Sequence, residues 1–140
     1  MTIEEKEREL VEEFADIDDW MDRYACIIDM GNSLPPLPEN LKTPDRLIEG
    51  CQSRVWLDAG LSADGTVEYR ADSDAIIVKG IISMLVDVLS GHTPDEILSA
   101  DLHFIKDIGL AEHLSPTRSN GLVAMLKQMR AYAVAFKAKG

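Results

Sequence analysis

Apolar residues near the start of the chain recur at helical spacing. Ile3, Leu10, Phe14 and Ile17 fall along one stripe, and Trp20, Tyr24, Ile27 and Ile28 along a second. Thr2 and Glu5 make a capping-box pair, so a first helix is predicted over about 3–14. Asp16 is placed to cap a second helix, which Gly31 would end, and the two together form a helical hairpin or a bent helix. The period then changes to two: Val67, Tyr69 and Ala71 alternate with Glu68 and Arg70. With "RVWLDA" before them and Asp64-Gly65 as a turn, they predict an antiparallel hairpin, to which "RLIE" adds a possible third strand.

The helical period returns in "DAIIVKGIISMLVDVLS", apolar on nearly every face and placed after Asp72 or Ser73 as a cap, which predicts a central buried helix ending before Gly91. Its polar exceptions Lys79, Ser83 and Asp87 step by four residues and so share one line, facing solvent or a site. Thr93, Pro94 and Glu96 start another helix, a short segment over about 101–107 closes at Gly109, and Ser115 and Pro116 begin a last one. Leu122, Met125, Leu126, Met129, Ala133 and Phe136 mark the buried face of that last helix. The order is helix pair, small sheet, then helices, without strand-helix alternation. This is an α+β pattern, a small antiparallel sheet of about three strands packed with helices, in one domain over 1–140.

Composition narrows the function. The net charge of -11 repels phosphate backbones and anionic lipid, which leaves a protein partner with a basic patch as the better match and argues against nucleic acid or membrane. No apolar run reaches the length of a membrane span, and "MTIEEKEREL" lacks the basic flank and apolar centre of a signal peptide, so a cytoplasmic protein is expected. The two cysteines are then not expected to form a disulfide.

Each cysteine needs its own account. Cys26 sits inside a helical pattern beside Ile27 and Ile28 and reads as a packing residue. Cys51 follows Gly50 and precedes Gln52, Ser53 and Arg54, a polar interruption at a strand junction with Arg46 also near in sequence. A thiolate nucleophile needs access and positive charge or donors, and position alone leaves open whether Cys51 packs or reacts. His92, His103 and His113 show no metal-ligand spacing and read as surface or partner-contact residues, so no metal is expected. Two cysteines also fall short of the ligands of an iron-sulfur cluster. "SPTRSNG" is either a helix start able to hold an anion through Arg118 and Asn120, or an ordinary capped start. A cysteine hydrolase would need one of the histidines beside Cys51 in space.

Taken together, "LPPLP", "IEGCQSRVWL", "ADSDAIIVKG" and "LSPTRSNGL", in this order and spacing, resemble the SufE family of sulfur acceptors across nearly the whole chain. The resemblance implies a fold similar to the IscU scaffold. It implies that the cysteine at Cys51 takes sulfane sulfur from the persulfide of a cysteine desulfurase of the SufS or CsdA type, stimulating that enzyme. It further implies that the sulfur passes to an iron-sulfur scaffold, a SufB-containing complex, and that SufE and CsdE members share these motifs. Pyridoxal phosphate belongs to the desulfurase, so no cofactor is expected here. By motif, Gly50, Gln52, Ser53 and Trp56 go with the Cys51 loop, Arg118 and Asn120 line its surroundings, and Cys26 matches no cysteine on which the family depends. The alternatives are a regulatory module that binds a desulfurase without a covalent step, and a thiol-dependent hydrolase.

Overall fold

A computed structural model describes residues 1–139 of the chain. The first helix, α1, spans Ile3–Ala15, and its capping box forms as expected: the Glu5 N–H donates to Thr2 Oγ1 (3.1 Å) and the Thr2 N–H to Glu5 Oε1 (3.0 Å). Asp16 closes α1 and does not cap the next helix. That helix, α2, spans Trp20–Ser33 and is capped by Asp19, whose Oδ1 accepts from the Met21 N–H at 3.0 Å. Gly31 does not end α2 either. The helix continues to Ser33 and stops where Pro35 holds Leu34 in an extended conformation. Gly31 serves packing instead, because a Cβ there would lie 2.7 Å from the Gly80 nitrogen of the crossing helix.

Strands β1, Val55–Leu61, and β2, Val67–Ser73, pair antiparallel from Val55 opposite Ser73 to Leu61 opposite Val67. Val55, Leu57, Val67, Tyr69 and Ala71 all point into the core, as the alternation predicts. Among the described residues the sheet has two strands, not about three. Pro44 opens a short 3-10 turn over Pro44–Arg46, and Leu47 makes a single bridge to Trp56 before Gly50 turns the chain away.

Helix α3, Ile76–Leu89, lies across the hairpin, with Val78, Ile81, Ile82, Met84, Leu85, Val88 and Leu89 buried. Ala75 occupies its cap position, and neither Asp72 nor Ser73 does. Those two side chains close the approach instead, Asp72 Oδ1 accepting from the Ser73 N–H and Ser73 Oγ from the Ala75 N–H. The polar line along α3 is fully used: Lys79 Nζ lies 3.4 Å from Asp72 Oδ1, Ser83 Oγ donates to Met30 O, and Asp87 Oδ1 lies 3.4 Å from Lys6 Nζ. It fastens α3 to β2, α2 and α1, with Asp87 still exposed to solvent at its end.

Three short helices follow: α4, Pro94–Ser99, with a Thr93/Glu96 capping box; α5, Phe104–Ile108; and α6, Leu110–His113. The segment expected from 101 begins as helix only at Phe104, because Leu102 takes a left-handed φ of 57°. Gly109 ends α5 in the same region, φ 87°, as expected. The last helix, α7, spans Pro116–Lys139 and buries Leu122, Met125, Met129 and Ala133 against the hairpin, α3 and α4, while Leu126 and Phe136 are partly covered. Among the described residues no helix is long and apolar enough to cross a membrane.

Candidate functional site

Cys51 lies where three elements meet. Gly50 takes φ +92°, which a side-chain-bearing residue rarely adopts, and this swings the chain from the Leu47 bridge into a loop. Arg54 closes the loop: its N–H donates to Asp74 Oδ1 at 3.0 Å, and its carbonyl accepts from Ser73 Oγ and the Asp74 N–H. Residues 51 to 53 hang between these two anchors. The Cys51 thiol turns inward and donates to the Gly121 carbonyl at 3.6 Å.

A pocket of about 340 Å³ opens beside it. The loop contributes Cys51, Gln52 and Ser53, α3 contributes Val78 and Ile81, and the chain entering α7 contributes Ser115, Thr117, Arg118, Gly121 and Met125. The floor is apolar and the rim carries hydroxyls and one guanidinium. Burial pushes the Cys51 thiol above its ordinary pKa, and no cation draws it back. Arg46 is spent elsewhere, with Nε 3.1 Å from Asp58 Oδ1, and Arg54 does not line the pocket. The thiol is therefore protonated and sheltered at neutral pH.

Of the residues singled out in the sequence, Gln52, Ser53 and Arg118 line the pocket with Cys51. Gly50 and Asn120 open on a separate groove on the other side of the loop, beside Val123 and Lys127. Trp56 stays on β1 with Lys42 Nζ 5.3 Å from its ring centre and does not reach the pocket. Val78, Ile81, Gly121 and Met125 escaped the sequence reading. Their signals were the one-turn spacing of Val78 and Ile81, and a glycine inside a helical pattern at 121.

None of the histidines lines the pocket, which removes the general base that a cysteine hydrolase needs. His113 is exposed, as expected, while His92 and, in part, His103 are drawn into the fold. His92 is buried, with Nε2 3.0 Å from Met1 O; His113 stacks on Trp20 with ring centres 3.8 Å apart. His103 lies between α1 and α5, with Nδ1 2.6 Å from Asp107 Oδ2 and Nε2 3.0 Å from Glu4 Oε2. Glu4, Glu7 and His103 present ligand-type atoms within 4.8 Å of one another. The Asp107 hydrogen bond pushes the His103 pKa up to about 9, so at neutral pH the imidazolium pairs with these carboxylates.

Cys26 is half-buried, with Sγ 4.0 Å from Glu13 Oε1. Burial raises its pKa, and Glu13 and Asp29 raise it further. Cys26 is held within α2, whereas Cys51 is on a loop and lines the pocket.

A family model described as "SufE: Fe-S metabolism associated domain" matches residues 8–133. The chain belongs to the SufE family. Its association with iron-sulfur metabolism follows from that membership. The fold of this SufE-family protein is also similar to a solution structure of a hypothetical protein from Thermus thermophilus, with a TM-score of 0.77 at 23% identity, over 95% of this chain and 96% of that one.

Proposed function

We propose that this SufE-family protein is a sulfur acceptor and carrier for iron-sulfur cluster assembly, with Cys51 as the covalent carrier. Its donor is the persulfide of a pyridoxal-phosphate cysteine desulfurase of the SufS or CsdA type, and the sulfur then passes to a SufB-containing scaffold. The observation that carries this reading is the placement of Cys51: a thiol on a short loop held only at its ends, turned into a mostly apolar pocket with a single polar partner.

In the transfer step the Cys51 thiolate attacks the outer sulfur of the donor persulfide. One S–S bond breaks and another forms, the donor leaves as thiolate, and Cys51 becomes S-sulfanylcysteine; no oxidant is needed. The resting thiol is a poor nucleophile because burial alone raises its pKa. Drawing residues 51 to 53 out of the pocket rehydrates the sulfur and returns that pKa toward its ordinary value. Docking thus switches attack on, and return to the pocket shields the loaded sulfur from stray thiols and oxidants. Arg118, on the pocket rim, offers its guanidinium to the thiolate or to an acidic group of the partner.

Incubation with desulfurase and cysteine, followed by intact-protein mass, tests the reading. The carrier gains one sulfur atom, loses it to reductant, and gains nothing as Cys51→Ser. Stimulation of the desulfurase without an adduct would instead make the protein a non-covalent regulatory module. Arg118→Glu loads more slowly than the parent protein.

A further inference from the structure

Gly121 sits within the second turn of α7, is buried, and has no left-handed φ to explain a glycine. Inside a helix, glycine is the poorest choice after proline, and alanine at this position would favour folding. A Cβ built on Gly121 meets one neighbour within 4 Å beyond its own turn of helix: Cys51 Sγ, at 3.6 Å. That is ordinary van der Waals contact, so the resting thiol has room for alanine. Neither backbone geometry nor packing of the free thiol accounts for the missing methyl.

The loaded thiol does account for it. The Sγ–H bond is directed at the Gly121 carbonyl, 3.6 Å from Sγ. In S-sulfanylcysteine a second sulfur replaces that hydrogen at about 2.05 Å from Sγ. The carbonyl oxygen closes the direct line, and the space alongside it, where Gly121 has no Cβ, lies within reach of the new bond. Resting on the carrier reading, we infer that Gly121 is the positioning residue for the sulfane sulfur: its absent side chain is the seat of the outer atom, and its carbonyl accepts the S–H of the persulfide.

The test loads the protein and Gly121→Ala in two ways, with desulfurase plus cysteine and with a polysulfide salt alone. In the second arm the Cys51 thiolate attacks a terminal sulfur of the polysulfide dianion, leaving the Cys51 persulfide and a polysulfide one sulfur shorter. Persulfide half-life under excess thiol is read by intact mass, beside the melting temperature and the iodoacetamide rate of the unloaded protein. Gly121→Ala should melt no lower and alkylate at the parent rate, yet lose its sulfur roughly tenfold faster, the scale of effect of forcing one methyl into filled space. Equal persulfide lifetimes would overturn the inference, as would a lower melting temperature or altered alkylation, either of which makes the glycine a packing residue. If the parent protein takes no sulfur from the desulfurase, the carrier reading fails, while the polysulfide arm still decides the role of Gly121.

Discussion

Gly31 of α2 and Gly80 of α3 cross at backbone contact, a Cβ on Gly31 falling 2.7 Å from the Gly80 nitrogen. A Cβ on Gly80 would lie 2.1 Å from Ile27 O, and backbone atoms cannot turn aside as side chains do. Gly80→Ala gains about 1 kcal/mol of helix propensity. Overpacking costs up to ~3 kcal/mol or more when the obstacle is main chain, and this wins. Urea unfolding of Gly80→Ala is expected to show a net loss of about 2 kcal/mol or more against the parent protein.

Asp72 is the anchor of a second junction. Its carboxylate accepts the Leu37 and Ser73 N–H groups and lies 3.4 Å from both Lys42 Nζ and Lys79 Nζ, joining the proline-rich loop, β2 and α3. Burial works to raise its pKa, but the two N–H donors and two ammonium groups outweigh it and hold it below the ordinary carboxylate value of 3.8. A depressed folded pKa stabilises the fold above the unfolded pKa and is lost as pH falls through the folded one. Asp72→Asn should cost about 2–3 kcal/mol near neutral pH, toward the low end for a broken buried pair because the lysines keep some solvent. Urea midpoints of parent and variant should converge only in acid below the ordinary carboxylate value of 3.8, as pH falls through the depressed folded pKa.

What the sequence declared was local. The Thr2/Glu5 and Thr93/Glu96 boxes, the alternation at Val67, Tyr69 and Ala71 and the stop at Gly109 each depend on residues within a few positions, and all form as read. What it concealed depends on distant partners. Gly31 looked like a helix stop because its true partner is 49 positions away at Gly80. The ion pairing of His103 left no sign because its carboxylate neighbour Glu4 is 99 positions distant. The same holds at the site. The Cys51 loop could be placed from Gly50 and the polar residues after it, but the pocket walls come from α3 and α7, so nothing local tied Val78, Ile81 or Gly121 to Cys51. Trp56 and Asn120 neighbour the loop along the chain or by motif, yet alternation along β1 and the turn of α7 direct them elsewhere.

The His103 network predicts an alkaline limit to stability. The imidazole bridges Asp107, Glu4 and Glu7, and the Asp107 hydrogen bond is the largest cause of a pKa raised from 6.5 to about 9. A base that binds its proton more tightly when folded contributes fully below its unfolded pKa, and the contribution fades as pH rises through about 9. Replacing His103 by Gln should lower the melting temperature most below about pH 7, and the gap between parent and variant should close by about pH 10. A gap independent of pH would assign His103 to packing alone.

The loop itself gives the sharpest contrast, because the chain carries an internal control. Burial raises the pKa of both cysteines, but Cys51 lies between two loop anchors while Cys26 sits within α2 beside Glu13. At neutral pH both should alkylate slowly in the free protein, since only the thiolate reacts. A partner that draws out residues 51 to 53 removes the sole cause of the raised Cys51 pKa and leaves Cys26 as it was. Iodoacetamide labelling, read peptide by peptide, should therefore show Cys51 accelerating roughly tenfold or more when a desulfurase is added, with Cys26 unchanged. Equal, fast labelling of Cys51 with and without the enzyme would count against a sheltered thiol. Acceleration of both cysteines together would point to a general loosening of the fold and not to movement of one loop.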